Sequence, residues 1–292
     1  MVSLIKNFNQ KIENYIESLE LPDRDCHYVS HYCPLESGLN ILRAECLWMS
    51  HHRYMNDPSE IGYSMELIQE CIRSTLGDDD IRANILDFLE NQIAQNYHCL
   101  ITSFLEKDDY MPGWRYYADN GRGVAIKFKK AIFEQKTFPE VIGTGPVLYS
   151  NDLQNEITQN ILSIFLGYSQ DQQSELQPEI LTQLIALMPL FKINDYQDEW
   201  EWRAFSIRLF NSKQNAYIPS APPDLLLVDS QSKPIYKILN FSLDDIMDIT
   251  FGPCCDDVFA KNQFRKILLQ KGISEERISN INFVTSARRY RS

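Results

Sequence analysis

The sequence predicts an α+β fold: a mixed or antiparallel central sheet with N-terminal helices and a helical insertion. Helical periodicity marks residues 1–22 and the stretch from about 58 to 96, and short apolar, β-branched runs follow between Gly- and Pro-marked turns. The elements come in blocks, without the regular strand–helix alternation of a doubly wound sheet. We read residues 1–292 as a single α+β domain, with an N-terminal helix at 1–22 and a helical insertion at 151–190.

In the opening helix, Leu4, Ile5, Phe8, Ile12, Tyr15, Ile16 and Leu19 recur at three- and four-residue spacing before Pro22. A short strand ending in His31-Tyr32 leads into a helix, then into Leu47-Trp48-Met49-Ser50. The helical period returns at Ile61, Met65, Ile68 and Ile72, and again at Ile81, Ile85, Phe88 and Leu89 behind Asp78-Asp79-Asp80. Strands are expected at His98 to Phe104, at Val124 to Phe128 after the Asn120 to Gly123 turn, and at Val147 to Tyr149. Residues 151–190 shift to Gln, Asn, Leu and Ile with Ile157, Ile161, Ile164 and Phe165 at helical spacing, which makes them the insertion. Glu199 to Leu209, Leu225 to Val228, Ile235 to Leu239, Ile249 to Phe251 and Ile281 to Thr285 are further strand candidates. A helix over Asp257 to Gln270 turns Phe259, Phe264, Ile267 and Leu268 inward, with Gly272 beyond its end.

Composition narrows the function. Lys and Arg total 28 against 40 Asp and Glu, a net charge of −12, so nonspecific coating of nucleic acid is disfavoured. At 44% hydrophobic and 12% aromatic, the chain can bury a substantial core. No apolar stretch approaches the ~20 residues of a membrane span, and the N-terminus lacks a secretory pattern, so a cytoplasmic protein is expected. Seven scattered cysteines without a repeated CxxC read as reduced thiols; Cys254-Cys255 reads as a turn feeding a helix, with a redox or metal role as the alternative.

Three segments carry potential chemistry. The first joins His31-Tyr32 to Ser50-His51-His52 and Asn56-Asp57-Pro58-Ser59-Glu60. A histidine at a strand end can bond a ligand hydroxyl. Asn56 or Asp57 can equally cap the following helix, and His51 and His52 are too close to form a metal pair in a regular element. The second is Trp114 to Gly123, whose Trp114 and Tyr117 share a helix face and suit either ring stacking or the core. The third is Glu199-Trp200-Glu201-Trp202-Arg203. On a strand, Glu199, Glu201 and Arg203 would share one face, the two carboxylates ~7 Å apart, with Trp200 and Trp202 anchoring the other. Such carboxylates can stabilise oxocarbenium-like charge and orient a nucleophile; the alternative is a solvated, ion-paired face.

Together the segments resemble a bacterial family known only as domain-of-unknown-function family 2971. The matching pieces run from His31-Tyr32 through Leu47 to Ser50, Asn56 to Glu60, Thr102-Ser103-Phe104, Trp114 with Tyr117, and Glu199 to Arg203, to Ile249 to Gly252, spanning about residues 28 to 285. Met55 and the 151–190 stretch depart from the family pattern. In the order of its parts the chain is also similar to ADP-ribosyltransferases, which split NAD at its nicotinamide bond. That resemblance implies an ADP-ribosyltransferase-like fold and NAD as substrate. It implies His31 on the adenosine-side ribose, Tyr117 or Tyr116 stacking nicotinamide, Glu201 on the nicotinamide ribose and Glu199 orienting the acceptor, with Tyr32, Ser50 and Arg203 completing the NAD-binding residues.

Three functions are open on this basis: an NAD-consuming transferase or glycohydrolase acting on a protein or small-molecule acceptor; a noncatalytic protein-binding module of a defence or effector system, which leaves secretion as an effector open; and a hydrolase or nuclease using His51, Asp57 and Glu60 around a divalent metal. No resident metal is expected under the first.

Overall fold

The computed structural model describes residues 2–19, 27–55, 59–93, 97–134, 143–211, 216–218 and 236–288. In chain order these form α1 (Val2–Glu17), β1 (Tyr28–Cys33), α2 (Leu35–Ala44), β2 (Cys46–His51), α3 (Glu60–Thr75), α4 (Asp80–Asp87), β3 (Tyr97–Leu105), α5 (Met111–Tyr116), β4 (Val124–Lys129) and α6 (Ala131–Glu134). There follow β5 (Gly143–Pro146), α7 (Asn151–Leu166), α8 (Gln170–Leu187), β6 (Glu201–Asn211), β7 (Ala216–Ile218), β8 (Tyr236–Asn240), β9 (Ile246–Phe251), α9 (Asp257–Gln270), α10 (Glu275–Ser279) and β10 (Asn282–Thr285). Local chemistry sets many boundaries. The Asp79 carboxylate caps α4 by accepting the Arg82 N–H, and Ser169 with Gln172 forms a capping box at the start of α8.

The fold is α+β with a mixed sheet. β9 and β10 pair in parallel, whereas β1, β4, β3, β2, β8 and β6 pair antiparallel with their neighbours. β3 is its axis. One edge pairs with β6 along its whole length, from Tyr97 opposite Leu209 to Leu105 opposite Glu201. The other edge is shared: β2 pairs at Leu100 and Ile101, and β1 only at Leu105. Between these points β1 and β2 diverge, and the sheet forks.

Alternation along β3 and β6 divides the core. Cys99 and Ile101 of β3 and Phe205 of β6 face a helical layer in which Phe8 and Ile12 of α1, Ile68 of α3, Phe165 of α7 and Leu184 of α8 pack together. Phe104, Trp202 and Ala204 point to the other face, where Leu42 of α2 and Phe264 and Leu268 of α9 cover them. The predicted insertion is therefore a structural partner of α1 and α3 rather than an appendage. Fully buried Gln154 reinforces the join: its Nε2 donates to Leu148 O at 2.6 Å and Lys192 O at 2.8 Å, and its Oε1 accepts from Tyr63 OH at 2.6 Å.

Several expectations need correction. The first helix ends at Glu17, short of Pro22. Residues 147–149 form no strand; Leu148 makes one isolated bridge to Phe191. Phe259 is exposed at 54% because it lies off the stripe of Ala260, Phe264, Ile267 and Leu268 that α9 buries. Residues 56–58, which carry the predicted cap, and Leu225 to Val228 lie outside the described residues. Cys254 and Cys255 do form a turn before α9, and burial with Asp256 and Asp257 nearby pushes the Cys255 thiol up to about 11, against thiolate chemistry.

Where β2 leaves the sheet, His51, His52 and His98 cluster. His51 Nδ1 accepts the Arg53 N–H at 3.3 Å, so its Nε2–H donates to His98 Nδ1 at 2.9 Å; His52 Nδ1 accepts the Cys99 N–H at 3.3 Å. Burial, with the other histidines and Arg53 adding repulsion, lowers His51 to about 3, and burial followed by Arg53 lowers His52 to about 4. Both bases sit below the ordinary 6.5, so their neutral forms favour the fold. That stability is present above pH 6.5 and is lost as pH falls from there towards the folded values. Between pH 7 and 5 the melting temperature of the wild type should drop by several degrees, and the drop should be smaller in His52→Gln; equal slopes by calorimetry would contradict this.

Candidate functional site

The fork in the sheet opens into a cavity of about 220 Å³. β1 supplies His31 and Tyr32, β2 supplies Trp48 and Ser50, and β3 supplies Ile101, Thr102, Ser103 and Leu105; Tyr54, Met55 and Tyr117 complete the wall. Side chains replace part of the missing ladder: Thr102 Oγ1 donates to Trp48 O at 3.1 Å, and His31 Nδ1 lies 3.0 Å from Ser103 O. A carbonyl only accepts, so His31 Nδ1 carries the hydrogen and Nε2 keeps its lone pair. Burial lowers the pKa of His31, which keeps the ring neutral.

Tyr32 is held rather than free. Its hydroxyl donates to Lys107 O at 3.0 Å and accepts the Tyr110 N–H at 3.0 Å, and its ring packs edge-on against buried Trp114, centroids 4.8 Å apart. Gly113 permits this approach, because a Cβ there would lie 2.8 Å from the Tyr32 ring. The same packing places Tyr117, just past the end of α5, against the cavity.

Behind Tyr117 lies a cluster of buried charges. The Arg203 side chain is fully buried; its Nε donates to Glu201 Oε1 at 2.8 Å, and its terminal nitrogens donate to Glu201 Oε2 at 2.8 Å, Glu60 Oε2 at 2.7 Å and Pro189 O at 2.7 Å. Lys192 Nζ reaches Glu60 at 2.8 Å, Glu199 at 2.6 Å and Glu201 at 3.5 Å. Three carboxylates against two cations leave one net negative charge. Burial alone would raise Glu201, but the Arg203 and Lys192 charges outweigh it and hold the carboxyl ionised, below its ordinary range. In Glu199 burial prevails over Lys192 and its pKa is raised. Burial and the Glu201 and Glu199 charges push Tyr117 up, so its hydroxyl stays protonated and bonds to Glu199. Glu199 therefore links the ion cluster to the cavity wall.

The geometry differs from the strand expected over residues 199–203. β6 begins at Glu201; Glu199 closes a 3₁₀ segment, and Trp200 adopts a left-handed conformation at φ 50°. Alternation holds for Glu201 and Arg203 on one face and Trp202 and Ala204 on the other, but the turn breaks it before Glu201. Trp200 is half-buried, with Lys107 Nζ 3.4 Å from its ring centroid, and only Trp202 belongs to the core. The two carboxylates still converge, through Lys192.

His31, Tyr32, Ser50 and Tyr117 share one cavity; Tyr116 does not, and points outward at 61% exposure. Arg203, expected among the NAD-binding residues, has no accessible surface and is committed to Glu60, Glu201 and Pro189. Glu201 is 2% exposed and sits behind the wall. Sequence reasoning missed Lys192, although a lone lysine in Leu190-Phe191-Lys192-Ile193 is a signal of buried pairing, and it gave Glu60 to a metal site. Glu60 is instead committed to Arg203 and Lys192, and His51 to His98; among the described residues no three His, Cys, Asp or Glu side chains are placed to hold a metal ion.

Removing the central cation should be costly. Arg203→Met leaves Glu60 and Glu201 without their shared partner and should destabilise by about 3–5 kcal/mol in urea unfolding. Arg43→Met, which breaks the exposed pair with Glu36, should change stability by less than about 1 kcal/mol. Similar losses in the two variants would show that the cluster does not organise the fold.

No curated protein and no solved structure matches the chain. Residues 114–204 match the model of a family described as a protein of unknown function, DUF2971. The match is shorter than the resemblance read from about residue 28 to 285, and leaves His31, Ser50 and Glu60 outside it. It supports the resemblance to that family over the segment that carries Tyr117, Lys192, Glu199, Glu201 and Arg203.

Proposed function

We propose that the protein is an NAD-dependent, ADP-ribosyltransferase-like enzyme, a transferase or NAD glycohydrolase, that breaks the nicotinamide–ribose bond. The observation that carries this reading is the union of a small, largely apolar cavity with a fixed charge cluster of net −1, joined through Tyr117 and Glu199. Breaking the bond sends its electron pair to the ring nitrogen, frees neutral nicotinamide and leaves positive charge on the ribosyl group. A preorganised negative field in a poorly solvated site favours that change.

The residues then divide the work. The Tyr117 ring offers an aromatic surface to nicotinamide. His31 Nε2, a neutral acceptor, takes a hydrogen bond from a ribose hydroxyl, and Ser50 offers a second polar contact. Glu199, with its raised pKa, accepts the proton of the attacking water or acceptor hydroxyl as the new C–O bond forms. Glu201 stays ionised and acts through its field, held by Arg203, which binds no ligand itself. Glu199 thus keeps its expected place beside the acceptor, while Glu201, expected on the nicotinamide ribose, becomes a positioning and electrostatic group.

Incubation of the full chain with NAD should release free nicotinamide. Glu199→Gln should lower the rate by about 100-fold or more with its melting temperature nearly retained. Tyr117→Phe, which keeps the ring and loses the hydroxyl, should lower the rate by a smaller factor. No nicotinamide release by the wild type, with no thermal stabilisation by NAD, would leave the noncatalytic binding module as the surviving reading.

A further inference from the structure

A second cavity, of about 360 Å³, adjoins the first and shares His31, Trp48 and Ser50 with it. Its far wall is one face of α2, where Ser37, Asn40, Ile41 and Ala44 recur at helical spacing. Trp48 lies on the boundary. It is 60% exposed on a strand whose neighbours Leu47 and Met49 are almost completely buried, so the position is not serving the core.

Among the described residues no charged side chain lines this cavity. Burial pushes the Cys33 thiol up to about 12 and also raises Cys46, so both thiols stay uncharged. Beside the neutral His31 ring the polar groups are amide and hydroxyl: Asn40 Oδ1 accepts from Arg43 at 2.7 Å, which orients the amide with its NH₂ as the remaining donor, and Ser37 and Ser50 offer hydroxyls. A wall with an aromatic face and a few neutral hydrogen-bonding groups suits a neutral planar heterocycle, and its described lining offers no cation to a phosphate.

We propose that the cavity between α2 and β2 is a purine-nucleoside subsite in which Trp48 stacks on the base, continuous through His31 with the cavity beside Tyr117. A ligand filling both would place its purine against Trp48 and its other ring near the charge cluster. This deepens the NAD reading by locating the adenosine half, and rests on that reading for the identity of the second half only.

The test titrates the full chain with adenosine and with uridine by calorimetry, alongside nicotinamide release from NAD. Adenosine should bind more tightly than uridine. Trp48→Ala should weaken adenosine binding by about tenfold or more, while Trp48→Phe restores it to within about threefold of wild type, as stacking requires. In an active enzyme Trp48→Ala should raise KM for NAD by a similar factor and leave KM for nicotinamide mononucleotide, which lacks the adenosine, unchanged. Absence of adenosine binding, equal binding by Trp48→Ala, or uridine binding as tightly as adenosine would overturn the subsite even if nicotinamide is released. Trp48-dependent adenosine binding without nicotinamide release would support the subsite and overturn the NAD-cleavage reading.

Discussion

The fork of hydrogen bonds between Arg203 and the carboxylates of Glu201 and Glu60 ties the helical layer to the sheet behind the cavity. A guanidinium with no exposed surface survives only if its donors are satisfied, and here they are taken up by β6, by the start of α3 and by Pro189 O beyond the end of α8. Lys192 repeats the arrangement beside it and adds Glu199. Removing a partner strands a charge, so the helical layer cannot shift relative to β6 without a large electrostatic cost. The cluster also serves as a fixed source of field behind Tyr117.

The helical segment over 151–190 gains its meaning from this constraint. Its apolar faces complete the core with α1, α3 and α4, and the chain leaving α8 delivers Pro189 and Lys192 to the charge cluster. Gln154 secures that delivery by bonding Leu148 O and Lys192 O from inside α7. Packing on one side of the sheet thereby sets the electrostatics at its edge. The second constraint is topological: β3 divides one edge between β1 and β2, and the gap leaves room for a cavity that a continuous ladder would have closed.

Glu199 and Tyr117 connect the two constraints. Trp200 in a left-handed turn takes Glu199 out of strand alternation and sets it at the rim of the cluster, its side chain 13% exposed against 3% for Glu201. Tyr117 bridges from there to the cavity. The carboxylate with a raised pKa is thus the one bonded to Tyr117 of the cavity wall, and Glu201, more deeply buried, is held ionised. The proposed reaction uses that division of environments, with one carboxylate accepting a proton and the other acting through its field.

What the sequence determined by itself is local. Apolar spacing marked α1, α3, α4, α7 and α9, and β-branched runs between turns marked β3, β4, β6 and β9, because periodicity and turn chemistry act over a few residues. Strand alternation put Glu201 and Arg203 on one face, and residue chemistry singled out His31 and Tyr117; the resemblance added Tyr32 and Ser50, and the fold brings His31, Tyr32, Ser50 and Tyr117 to a single cavity. Only tertiary structure decided that Glu60 and Lys192, 132 positions apart, meet around Arg203, that Trp200 breaks the strand, and that Arg203 is sealed from any ligand. Those outcomes depend on long-range ion pairing and on which edge of β3 each strand takes. Short-range patterns in a chain do not encode either, since the energy of a buried charge is set by the partners that surround it after folding.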